Sequence, residues 1–324
     1  MRFSVAVVAA FILTGLPALS AKRQDFETCS KTEDADATIE SCTRVIEDLD
    51  VVPKIRSTAL FFRSLARETK QDLKGAMADL GEAIRIDPKS GNAYSSRARL
   101  YRDAGDDEHA FADLNAAVRN GPGVALFYNR RGLFYLYKNN IEFAIDDFNE
   151  AISLAPRSTD GYFNRAHAYA NASLRARAIA DYSEVIKIDP TASRGYAARG
   201  SMYQLQGDND LAIADYNEIL RLEPKADYTL YSRGIAYREK GNLDQAIADY
   251  TAALAINPKY APAYHERGVA YRLKGDREHA IADFREAIRL DFSTSITSRH
   301  ELEALGAGEP KTEIPRNGVL DLLK

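Results

Sequence analysis

The chain has 324 residues, with 43 Lys and Arg set against 47 Asp and Glu. A formal net charge of −4 at pH 7 supplies no overall drive toward DNA or RNA, so nucleic acid is excluded as an expected partner. The two signs are interspersed along helical patterns, as on a solvated helical surface.

Residues 1–21 come first. Met1-Arg2 is a short positive start, Phe3 to Leu16 is mainly apolar, and Gly15 and Pro17 are expected to break the helix before Ala18-Leu19-Ser20-Ala21. This order predicts a secretory signal peptide cleaved after Ser20 or Ala21. An uncleaved anchor is the alternative, against which the apolar run is shorter than the ~20 residues a spanning helix needs, and no stable membrane insertion is expected after cleavage. No Cys follows the cleavage point, which argues against a lipoprotein. The expected location is an exported one, a bacterial periplasm or the medium.

Residues 22–56 hold both cysteines, Cys29 and Cys42. An even pair in an exported chain points to one structural disulfide, with two free thiols as the alternative. There is no CxxC and no His nearby, so a metal or catalytic thiol is not expected. Ala37 to Asp48 has the pattern of the second helix in the units that follow, although its connection to them is four residues longer. This segment is expected to be a degenerate terminal unit.

From residue 57 the chain repeats every 34 residues, with Pro88, Pro122, Pro156, Pro190, Pro224 and Pro258 on the interval and Phe292 at the seventh step. Numbering each copy from the third residue after its proline, position 8 is small in every copy: Ser64, Ala98, Gly132, Ala166, Gly200, Gly234 and Gly268. Position 20 is always Ala (76, 110, 144, 178, 212, 246 and 280). Large apolar or aromatic residues hold positions 4 and 24, from Leu60 and Leu80 to Tyr264 and Phe284. Small residues on two facing helices let the backbones approach, and the large ones fill the space around that contact. The proline ends the second helix. A 34-residue period of two amphipathic helices resembles the tetratricopeptide repeat (TPR), and the resemblance covers 57–294. It implies an all-α fold, a right-handed superhelical solenoid of helix-turn-helix units, with protein or peptide partners.

One recurrence departs from the usual TPR pattern. Position 7 is Arg in all seven copies (63, 97, 131, 165, 199, 233 and 267) and position 23 is Asp (79, 113, 147, 181, 215, 249 and 283). A ladder of Arg to carboxylate pairs is expected, within a repeat or between neighbours. The alternative is a charged stripe gripping an anionic partner.

Gly105-Asp106, Gly207-Asp208, Gly241-Asn242 and Gly275-Asp276 punctuate the turns between helices. Residues 295–306 are expected to form a capping helix, with Ser298-Arg299-His300-Glu301 as its capping box and Leu302 and Leu305 as its apolar face. Residues 307–324 are expected to be disordered, their end Val319 to Lys324 being either a docking peptide or an idle tail.

Function is expected at positions the repeat leaves free. Positions 2, 5, 6, 9, 12 and 13 of the first helix point away from positions 4, 8 and 11, toward the inside of the superhelix. The candidates there are Phe61, Arg99, Asn129, Arg130, Leu133, Tyr137, Phe163, Asn164, His167, Tyr228, Tyr231, Arg238 and His265. Aromatic and Arg side chains mixed with Asn are the types that make hot spots in peptide recognition. The carboxylate clamp of chaperone-binding TPR domains needs Lys at position 5, and no copy has one. Asn164 with Arg130 is the remaining pair suited to a peptide backbone or carboxylate. His spacing offers no metal pair, and neither a Gly-rich phosphate loop nor GxSxG is present. The expected function is therefore a non-catalytic scaffold or adaptor in the cell envelope, without cofactor, or alternatively a self-assembling structural protein in which the groove takes a second copy.

Overall fold

The computed structural model describes residues 17–31, 34–291 and 295–308. These form seventeen helices and no strand: α1 (Pro17–Lys31), α2 (Ala35–Glu47), α3 (Pro53–Thr69), α4 (Leu73–Ile86), α5 (Gly91–Asp103), α6 (Asp107–Asn120), α7 (Ala125–Tyr137), α8 (Ile141–Leu154), α9 (Thr159–Asn171), α10 (Arg175–Ile188), α11 (Ser193–Gln206), α12 (Asn209–Leu222), α13 (Asp227–Glu239), α14 (Leu243–Ile256), α15 (Ala261–Leu273), α16 (Arg277–Leu290) and α17 (Ser295–Ala304). The fold is all-α, built of paired helix-turn-helix repeats. Two compact units divide it, residues 1–164 and 165–324.

Each repeat follows from a few fixed positions. The ring at position 24 lies over the small residue at position 8: a Cβ on Gly132 would sit 2.6 Å from Phe148, and one on Gly234 would sit 2.6 Å from Tyr250. Ser64 and Ala98, which do carry a Cβ, belong to repeats whose position 24 is the slimmer Leu80 or Leu114, whereas Ala166 carries one in a repeat whose position 24 is Tyr182. The alanines at position 20 are buried without exception. Position 15, between the two helices, is left-handed throughout: Gly105, Gly207, Gly241 and Gly275 have φ from 79° to 83°, and Gln71, Asn139 and Ser173 adopt φ of 63°, 59° and 59°. The next residue caps the second helix in several copies, Asp72, Asp106 and Asp276 accepting from the N–H of Gly75, His109 and His279.

In the first unit, α1 and α2 are joined by the Cys29–Cys42 disulfide, with Cα atoms 4.8 Å apart. Cys29, Cys42, Val45 and Ala59 form one buried cluster with Phe26, Ile55 and Phe62 against it, so the terminal pair is seated on α3. The expected break at Gly15 and Pro17 falls at the edge of the described residues, the first of which, Pro17, lies in α1. Two expectations are corrected here. The four extra residues before the first repeat do not lengthen a loop; α3 starts at Pro53 and takes them up as one more turn. In the second unit, Ser298 is not the N-cap of the final helix, which already begins at Ser295. Ser298 is fully buried within that helix, and Leu302 is buried beside it against Phe284 and Ile288. Residues 1–16 of the predicted signal segment and 309–324 of the predicted tail lie outside the described residues.

Candidate functional site

The Arg and Asp recurrence resolves into one repeated device. In all seven repeats the position 7 guanidinium binds the position 23 carboxylate of its own repeat through two parallel bonds of 2.7 to 2.9 Å. The third nitrogen reaches back to position 25 of the preceding repeat: Arg131 to Asn115, Arg199 to Ser183, Arg233 to Asn217 and Arg267 to Thr251. Tyrosines at positions 4 and 11 sandwich several of these groups, Tyr94 and Tyr101 around Arg97 and Tyr196 and Tyr203 around Arg199. Hydrogen bonding to Asp raises the pKa of Arg97, Arg131, Arg199, Arg233 and Arg267, outweighing burial. Burial raises the pKa of Asp215, with Arg199 only partly opposing it, and each guanidinium is neutralised by the carboxylate of its own repeat. The expected Arg to carboxylate pairs thus form within each repeat, the contact between neighbours is a neutral hydrogen bond, and the anion-gripping stripe is not what this geometry builds.

The candidate residues of the first unit fall into two sets. Phe61 is packed against Leu60 and Leu80, its ring 5.4 Å from that of Phe62. Asn129 is only 8% exposed and its Oδ1 accepts from Asn164 Nδ2 at 3.3 Å. In these two repeats position 5 is thus packed between helices rather than open. The reason is geometric: it lies beside position 4 and is turned toward the first helix of the neighbouring repeat. Phe163 is half-buried. Arg130 Nη1 donates to Ser95 Oγ, one repeat back, at 2.7 Å, and Arg99 is paired with Glu68. Leu133 and Tyr137, at 39% and 66% exposure, are open. Because they follow Arg130 by three and seven residues, all three share one face of α7.

In the second unit His167 is exposed on α9. Tyr231 is packed among other rings, 5.0 Å from Tyr260 and 6.1 Å from Tyr250, and burial pushes its hydroxyl well above the usual phenol range. Tyr228, 6.2 Å from Tyr231, is 68% exposed. Arg238 Nε lies 2.9 Å from Glu266 on the next first helix. Burial works against the Arg238 charge, but Glu266 and Tyr250 overcome it and its pKa is raised. His265 Nδ1 meets Ser298 Oγ at 2.9 Å, and burial lowers the His265 pKa. Glu68, Ser95 and Glu266 were not singled out in the sequence, and Ser298 was singled out only as a helix cap. Their available signal was complementarity across one repeat length, acid or hydroxyl facing Arg or His at neighbouring first-helix positions. Among the described residues no group of His, Cys, Asp and Glu is placed to hold a metal ion, and no helix is long and apolar enough to cross a membrane.

Family profiles described as "Tetratricopeptide repeat" match residues 125–158, 159–191, 193–225 and 261–293, and one described as "TPR repeat" matches 234–275. The protein is a TPR repeat protein. Its similarity to solved TPR structures is one of fold. PilF of Pseudomonas aeruginosa aligns at 15% identity over 64% of this chain and 94% of its own, with a TM-score of 0.56. A tetratricopeptide repeat protein of Parabacteroides merdae aligns at 18% identity over 77% and 98%, with a TM-score of 0.55. YrrB, described as a TPR protein with an unusual peptide-binding site, aligns at 18% identity over 59% and 97%, with a TM-score of 0.51. No curated protein matches the TPR chain significantly. TPR repeats are typically protein–protein interaction scaffolds, and in this chain the side chains that repeat are consumed by the scaffold itself.

Proposed function

We propose that this TPR protein is an exported, non-catalytic adaptor that holds a segment of a partner protein along the first helices of its repeats. The observation that carries the reading is the division of labour within those helices. Positions 7 and 8 are invariant in kind and closed by Asp and by aromatic or leucine side chains. The neighbouring positions differ from copy to copy and leave Leu133, Tyr137 and Tyr228 exposed. Large exposed apolar side chains beside Arg and Asn have the composition of recognition surfaces, and the peptide-binding site named for YrrB is a precedent for this use of the fold. Export rests on the order of charge, apolar run and small residues in 1–21, and a disulfide in the first helix pair suits an oxidising compartment.

The test expresses the full chain with a C-terminal tag, fractionates the cells, sequences the mature N-terminus and identifies crosslinked partners. A chain beginning near residue 21 or 22, outside the cytoplasm and with a specific partner, is the expected result. A chain retaining Met1 in the cytoplasm overturns export, and recovery of nothing but itself turns the reading toward self-assembly.

A further inference from the structure

One guanidinium on the first-helix face of the first unit has no carboxylate. Arg130 is part-buried on α7, and its Nη1 donates to the neutral Ser95 Oγ at 2.7 Å. Its sequence neighbour Arg131 holds Asp147 through two bonds, and among the described residues no carboxylate comes within ion-pair distance of Arg130. Two further guanidiniums act on it from α5. Arg99 is paired with Glu68 and lies 3.6 Å from Asp103, and Arg102 lies 3.0 Å from the same Asp103. Three cations thus share two carboxylates. Burial lowers the pKa of Arg130, and the charges of Arg99 and Arg102 add to that, with Glu68 only partly opposing them. A part-buried charge of this kind is costly until an anion arrives.

We propose that Arg130, flanked by Arg99 and Arg102, receives a carboxylate of the bound segment, an Asp or Glu side chain of an acidic peptide. The assignment rests on the adaptor reading and names the chemistry of its ligand. The surroundings fit a peptide. Exposed Leu133 and Tyr137 continue the same face of α7. An acidic residue followed by apolar ones would be read in that order. The site differs from the position 7 set, where each Arg already has its acid.

The test uses the full mature chain and short fluorescent peptides of alternating Glu and Leu, amidated at the C-terminus, with a Gln-for-Glu counterpart. The Glu peptide is expected to bind at least about tenfold more tightly than the Gln peptide, as charge-assisted bonds to Arg allow. R130Q removes that preference, and R102Q, on an exposed side chain, weakens it in the same sense. R130Q leaves Tm unchanged or raised because no carboxylate is stranded, whereas R131Q lowers it. Equal binding of both peptides overturns the assignment, as does an R130Q Tm as low as that of R131Q, which would make Arg130 structural. Displacement of the Glu peptide by inorganic phosphate at far lower concentration than by acetate makes the ligand a phosphate and also overturns it. If the Glu peptide has no advantage while wild type still retains a crosslinked partner, this site falls and the adaptor stands. If Arg130 selects the Glu peptide and no partner is found in any compartment, the site stands and the adaptor falls.

Discussion

The position 7 arginine joins three surfaces at once: the second helix of its own repeat, the second helix of the preceding repeat and the tyrosine faces of its own helix. Its value is therefore in breaking, because removing either partner strands the other in a largely dry interface. Asp147 is only 5% exposed, and Asp147→Asn is expected to destabilise the first unit by about 3 kcal/mol, the low end of the range for a broken buried pair; urea unfolding reads it, and an effect below about 1 kcal/mol would mean the pair is surface-like. The device also has one gap. Repeat one has Gly81 at position 25, so Arg97 finds no side chain behind it, and a Cβ there would meet nothing within 4 Å. Gly81→Ala should stabilise by about 1 kcal/mol through helix propensity. Gly81→Asn should match or exceed it despite Asn being the poorer helix former, because the amide restores the third bond; an Asn variant clearly weaker than Ala would deny that bond any worth. Which residues recur was legible in the sequence. Which partner each one takes was not, since spacing alone fits an acid on the same repeat or on its neighbour.

At the scale of helices, the regular pairs follow from positions 4, 8, 20 and 24, and these were legible because size alternation is a packing rule. The ends were harder to read. Ser298 satisfies the capping-box pattern, but burial draws it to His265 instead. That contact makes the seating of α17 pH-sensitive. The groups around His265 are Ser298 and Phe284, the acids Glu266 and Glu301, and Arg238. Burial dominates and holds the folded pKa below the ordinary 6.5, so the folded state binds fewer protons than the unfolded one. The stabilisation is then complete above about pH 6.5 and is lost as pH falls through the folded value. Wild type should lose stability between neutral and mildly acidic pH relative to His265→Gln, read by urea unfolding and by protection of the α17 amides. Parallel pH curves for the two proteins would assign the acid sensitivity elsewhere.

At the scale of the molecule, a repeat protein is held together by neighbouring pairs, so a lesion acts mainly on its own repeat and those beside it. The same economy separates what sequence could and could not tell. The fold was readable from the interval of 34 residues, because a fixed period can be satisfied only by stacking like units. The candidate surface was half readable: its exposed members Leu133, Tyr137 and Tyr228 emerged from the helical wheel, but Phe61, Asn129 and Tyr231 shared that wheel position class and turned out to be packed between helices. A wheel has one axis, whereas each first helix here also has a neighbour. The central claim, that the open residues are there to hold a partner, is tested most directly by crosslinking the full chain in its own compartment as wild type and as a Tyr137→Ser, Tyr228→Ser double variant. Both side chains are mostly exposed, so the variant should fold and melt as wild type does. The account predicts a specific partner retained by wild type and lost by the variant at unchanged Tm. The same partner retained by both would contradict it.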